Sequence, residues 1–206
     1  MKDDPFRVRT MSPKEVALAV DWAAAEGWNP GLSDAACFAT AAPDGFLLGE
    51  LAGAPAAILS VANYDERFSF LGFYIVRQDL RGRGLGLRIW QVGMARAGSR
   101  AIGLDGVSGA TGQLSRIRLR VCLQQHPLWR LGGARRRGHA YHRVIERSVP
   151  RLDRTRRRHG VSNRAAVALA TAHGLAAVFE TARMYSGLIR SVSLERVYGV
   201  TTFELG

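Results

Sequence analysis

Six residues, Arg81-Gly82-Arg83-Gly84-Leu85-Gly86, have the types and spacing best suited to holding an anion. Glycines let a backbone turn tightly and approach a phosphate with no Cβ in the way. If a helix opens at this point, the unpaired N–H groups of its first turn aim at the same anion. Arg81 and Arg83 add positive charge. An ordinary glycine-rich turn would use the same letters. So would an RGRG contact to nucleic acid, although such segments usually repeat and this one occurs once. A dinucleotide fingerprint is disfavoured, because this loop follows a fourth strand instead of a first and has different spacing.

The surrounding pattern supplies the elements that must position the loop. Phe6–Thr10 alternates and predicts a strand. Ser12-Pro13-Lys14-Glu15 predicts a helix start with a capping box, running through Val16, Val20 and Trp22 to a stop at Gly27. Asp34–Thr40 allows one or two helical turns. Phe46–Leu51 and Ala56–Asn63 read as hairpin strands across Ala52-Gly53-Ala54-Pro55. Phe68–Val76, rich in aromatic and β-branched residues, reads as the fourth strand. Leu87–Ala97 then reads as a helix and Ala101–Val107 as a strand, so the glycine loop lies inside a βαβ unit.

Composition narrows the class. With 206 residues and 47% apolar content, the chain can bury a full core as one domain or slightly more. No run of 18 apolar residues predicts a membrane span. The start Met-Lys-Asp-Asp-Pro lacks the apolar stretch of a secretory signal. Cys37 and Cys122 have no paired spacing, so a reducing, cytoplasmic setting is expected. The net charge of +12 is concentrated in residues 113–160, where 14 arginines face only Glu146 and Asp153. Four of the five histidines (126, 139, 142 and 159) also fall there, but no metal site is expected from them.

The stretch Phe73–Gly86 resembles motif A of the GNAT acetyltransferases, a strand, an R/Q-x-x-G-x-G/A loop and a helix. The upstream order of elements fits the same family, and the resemblance covers roughly residues 6–110. Asp21-Trp22, Gly27-Trp28-Asn29-Pro30-Gly31 and Phe179–Tyr185 resemble a bacterial subgroup built of two tandem GNAT-like halves. The resemblance implies an α/β fold with a mixed, mostly antiparallel sheet flanked by helices. It implies an N-acyltransferase passing an acetyl group from acetyl-CoA to a small-molecule or peptide amine by direct attack. The backbone near Tyr74, Ile75 and Val76 would hold the pantetheine arm, and Arg81, Gly82, Arg83, Gly84, Leu85 and Gly86 the pyrophosphate. Tyr64, Asp65 and Glu66 are candidate bases, against the plainer reading of a solvated hairpin end. Trp28 and Asn29 are candidates for the acceptor site.

Residues 1–112 are thus expected to form an acyl-CoA-binding domain. Residues 113–160 read as an Arg-rich irregular segment. Read one base late, codons for Gln113–Leu131 permit a tyrosine-containing peptide like the missing end of the first GNAT half, which suggests translation out of frame. Residues 161–206 resume order: Asn163-x-x-Ala166-x-x-Leu169-Ala170-x-x-x-Gly174-Leu175 resembles motif B, with strands expected at Leu175–Tyr185 and Arg196–Leu205. These strands are expected to dock on the first half and complete its sheet. Ala170 stands where GNAT proteins often place a tyrosine that protonates the leaving thiolate. Tyr185 or Tyr141 is the candidate substitute. Two other readings remain beside the acyltransferase: an impaired CoA-binding remnant, and an Arg-rich nucleic-acid-binding protein.

Overall fold

The computed structural model describes residues 5–28, 30–31, 33–107, 120–131 and 163–186. The chain divides into two compact units, one running to Leu104 and the other starting at Asp105.

The first unit opens with β1 (Phe6–Thr10) and a 3-10 turn over Pro13–Glu15, which leads into α1 (Val16–Ala25). The expected capping box forms: the Ser12 N–H and hydroxyl both donate to Glu15 Oε2, at 2.7 and 2.8 Å. α1 ends as predicted at Gly27, whose φ of +83° is in the left-handed region open to glycine. The Gly27 N–H donates to Ala24 O and the Trp28 N–H to Ala23 O, both at 3.0 Å, which is the Schellman closure. Then come α2 (Asp34–Ala41), β2 (Phe46–Leu51), β3 (Ala54–Asn63), β4 (Phe68–Val76), α3 (Leu85–Ala97) and β5 (Ala101–Val107). The β2–β3 connection is tighter than expected. Leu51 pairs with Ala54, leaving a two-residue turn in which Ala52 (φ +51°) and Gly53 (φ +81°) are both left-handed.

β1, β2, β3 and β4 pair antiparallel in that order, and β5 joins β4 in parallel. Helices cover both faces. On one, Met11, Val16, Ala19, Ala23 and Phe38 pack with Phe46, Leu48, Ile58, Phe73 and Ile75 of the strands. On the other, α3 lies so close to β3 that a Cβ on Gly93 would come within 2.3 Å of Leu59 Cδ2. This is the expected mixed, mostly antiparallel sheet with flanking helices.

The second unit contains β6 (Arg120–Leu131), α4 (Arg164–Ala172) and β7 (Leu175–Tyr185). Asn163 is the N-cap that the sequence suggested, its Oδ1 accepting from the N–H groups of Ala165 and Ala166 at 3.0 and 3.2 Å. β6 corrects one expectation, since part of the segment read as irregular forms a 12-residue strand antiparallel to β7. Its sequence lacks clean alternation because arginine, glutamine and Pro127 interrupt the apolar residues, and the pairing slips register three times. The strand expected at 196–205 lies outside the described residues, as does Tyr141.

Candidate functional site

β4 carries an extra residue halfway along. Leu71 pairs with Val61 and Ile75 with Ile58, so four residues on β4 span three on β3. At this bulge Phe73 has a φ of +47°, a costly conformation for an aromatic residue. Packing holds it there. Its ring is 1% exposed and lies 5.5 Å from both Phe38, edge-on, and Phe46. The bulge reverses the alternation, so Phe73 and Ile75 enter the core while Tyr74 faces the other way, toward α3. The parallel ladder with β5 covers Phe68–Leu71 and Ala101–Leu104. Within the first unit, Gly72–Val76 is therefore held in the sheet by β3.

Tyr74 lies across the start of α3. Its ring meets Trp90 edge-on at 5.3 Å. Its hydroxyl is where a Cβ on Gly86 would fall, at 2.6 Å. Burial pushes the phenol pKa up, so Tyr74 stays a protonated donor through neutral pH.

After Val76 the chain turns sharply. Arg77 donates from Nε and Nη2 to the two oxygens of Asp79, at 2.7 and 2.9 Å, and its guanidinium holds that carboxyl below the usual carboxylate range. A 3-10 turn over Gln78–Leu80 buries Leu80 and leads into the loop. Gly82 (φ +77°) and Gly84 (φ +79°) are left-handed and border open space. The i to i−4 bond of Arg88 N–H to Gly84 O, at 3.2 Å, marks the start of α3. The amides of Leu85, Gly86 and Leu87 precede it and lack partners within the helix. Leu85 is buried and pins this turn, whereas Gly82, Arg83 and Gly84 are exposed. The result is an exposed loop whose first helical N–H groups face open space, a geometry that suits an anion.

Arg81 does something the sequence did not suggest. Its Nε donates to Val76 O at 3.0 Å and its Nη2 pairs with Glu26, the C-cap residue of α1. Both ends of the turn are thereby linked through Arg81 to the C-terminus of α1. Arg83 is also exposed on the loop. Glu26 was missed because 55 positions separate it from Arg81. One signal was available: an acid at a helix C-terminus opposes the helix dipole and needs a reason to be there.

The cofactor-side candidates Tyr74, Ile75, Val76 and Arg81–Gly86 thus come together at one end of β4. The acid–base candidates do not join them. Tyr64 and Glu66 are exposed in the turn at the opposite end, where β4 starts at Phe68, five strand residues or ~17 Å before Phe73. Tyr64 stacks on Phe68 at 6.2 Å, and the Asp65 carboxylate closes the hairpin by accepting from the N–H groups of Arg67 and Phe68. Trp28 follows the Schellman closure and packs partly buried against the core. Asn29 lies outside the described residues. Ala170 and Tyr185 belong to the second unit and are buried there. Beside Tyr185 on β7, Arg183 makes a paired contact with Asp105, Nε to Oδ1 and Nη2 to Oδ2, both at 2.6 Å.

Compared with solved structures, the whole chain superposes on a Pyrococcus horikoshii protein assigned as an acetyltransferase, with a TM-score of 0.72 over 98% of that chain at 12% identity. The fold is the GNAT acetyltransferase fold. An acetyltransferase from Streptococcus agalactiae 2603 matches 89% of this chain and 99% of its own, with a TM-score of 0.51 at 12% identity. Ard1 from Thermoplasma volcanium matches 60% of this chain and 87% of its own, with a TM-score of 0.52 at 13% identity. By sequence, 96 residues are 38% identical to holothin acyltransferase of Pseudoalteromonas sp. (strain SANK 73390). That stretch is 47% of this chain and spans 33% of the relative's length. No protein-family profile matches the chain.

Proposed function

We propose that the chain is an acyl-CoA-dependent N-acyltransferase, with acetyl-CoA as donor and a small-molecule or peptide amine as acceptor, working in the cytoplasm. The observation that carries this reading is the junction of the β4 bulge with the left-handed glycine loop at the start of α3. The residues suit the donor's chemistry. Unpartnered backbone amides and open space at Gly82 and Gly84 match a pyrophosphate. The backbone of Tyr74–Val76, beyond the end of the β4–β5 ladder, matches the amides of a pantetheine arm. The 38% identity to a holothin acyltransferase supports acyl transfer independently of the fold.

The donor supplies a thioester when bound. An uncharged amine would attack its carbonyl carbon, the C–S bond would break, and a proton would pass from the nitrogen to the departing thiolate. Backbone N–H groups at the bulge are suited to polarising the carbonyl oxygen. Tyr64 and Glu66 are too far along β4 for proton transfer unless the acceptor itself reaches them. Tyr185 and Tyr141 are the candidate acids.

Ala170 favours a second reading. A methyl group stands where the family often has a phenol, which suits a chain that binds CoA and turns over slowly or not at all. One experiment separates the two. Acetyl-CoA and longer acyl-CoAs are offered with a panel of amines and free thiol is measured. Amine-dependent thiol release supports transfer. Binding without release supports the second reading.

A further inference from the structure

Arg81 occupies the first place of the loop motif, and its charge invites the reading that it neutralises phosphate. The structure gives it other work. Its Nε is spent on the Val76 carbonyl and its Nη2 on Glu26, so two of its donor groups point back into the protein. Its side chain is 43% exposed and that of Glu26 is 31% exposed. Glu26 is also in a poor place for its own helix. It caps the C-terminus of α1, where the dipole favours a cation, and the Schellman closure by Gly27 and Trp28 needs no carboxylate. Its contact with Arg81 accounts for the acid there.

We infer that Glu26 is a positioning residue for the anion cradle, holding Arg81 as a strut that fixes where the β4–α3 turn starts. The inference rests on the acyl-CoA reading of the loop and adds a residue to it. Val76 ends the strand that would carry the pantetheine arm, and Arg81 begins the loop that would carry the pyrophosphate. The strut sets the distance between the two, and α1 anchors it through Glu26. A guanidinium fork can span both acceptors from one stem, whereas an ammonium carries its charge at a single point.

The test uses the full chain and CoA in titration calorimetry, comparing wild type with Glu26→Gln and Arg81→Lys. The strut predicts weaker CoA binding in both, on the order of threefold, because the half-exposed pair holds geometry more than it stores energy. The opposite role predicts the opposite sign. If Arg81 serves phosphate directly, Glu26 competes with the ligand, so Glu26→Gln tightens binding and Arg81→Lys leaves it nearly unchanged. Either of those results overturns the inference while leaving the loop's function intact. A wild type that binds no CoA overturns both the inference and the reading beneath it. Backbone hydrogen exchange over residues 77–86 tests the strut without ligand: Glu26→Gln should speed exchange there and leave α3 beyond Trp90 unchanged. Unchanged exchange in the turn contradicts the strut even where a variant is less stable.

Discussion

Phe73 shows how one residue can set a site. Its left-handed backbone costs ~1–3 kcal/mol, and its buried ring between Phe38 and Phe46 offsets that cost. Nothing in the letters announces this, since an aromatic in an apolar strand reads as plain alternation. Glycines were more legible, because Gly27, Gly82 and Gly84 stand where their sequence context asks for a left-handed turn. Ala52 is the opposite case, a methyl-bearing residue in a turn that prefers asparagine or glycine. Ala52→Asn is expected to raise stability by ~0.5–1 kcal/mol in urea denaturation. Gly86 is needed for space instead of backbone freedom. Gly86→Ala should displace the Tyr74 ring and weaken CoA binding, and most of that loss should vanish in a Tyr74→Phe background, which lacks the oxygen 2.6 Å from the new methyl. Additive effects in the binding cycle would mean that Tyr74 and Gly86 act separately.

At the scale of elements, most strands of the first unit were legible because each buries a patterned face. β6 was not, because its sequence carries no clean alternation of apolar and polar residues. Contacts between distant elements were also invisible. Arg9 of β1 joins Glu15 at the start of α1 to Glu50 of β2, at 2.6 and 2.8 Å. Hydrogen bonds from Arg9 and Ser12 hold the Glu15 carboxyl at about 2, below its ordinary 4.5. A depressed folded pKa adds stability that is full above pH 4.5 and lost as pH falls toward 2. Glu15→Gln should therefore flatten the stability profile between those limits and change it little at pH 7 relative to pH 5. Gly93 governs how closely α3 lies on β3. Gly93→Ala is expected to cost ~1–3 kcal/mol in thermal unfolding, since the new methyl would overlap Leu59.

At the scale of the molecule, the first unit has a cradle whose parts agree with one another, and the second has a buried ion pair. The Asp105 side chain is fully buried and that of Arg183 is 14% exposed. Asp105→Asn would remove the carboxylate charge that faces a mostly buried guanidinium and should cost ~3 kcal/mol, seen as a lower unfolding midpoint. The fold was legible from the glycine loop and the order of elements before it. Two of the acid–base candidates that the resemblance offered, Tyr64 and Glu66, sit at the far end of the strand from the glycine loop. On the proposed function, the Arg81–Gly86 loop holds the pyrophosphate of an acyl-CoA. Titration calorimetry of acetyl-CoA against wild type and Gly84→Val tests it most directly. Pyrophosphate binding at this loop predicts a micromolar dissociation constant for wild type and at least a tenfold loss in the variant, whose Cβ forces the left-handed N-cap of α3 to move. Equal affinity in the two folded proteins, or no binding to wild type at millimolar acetyl-CoA, would contradict it.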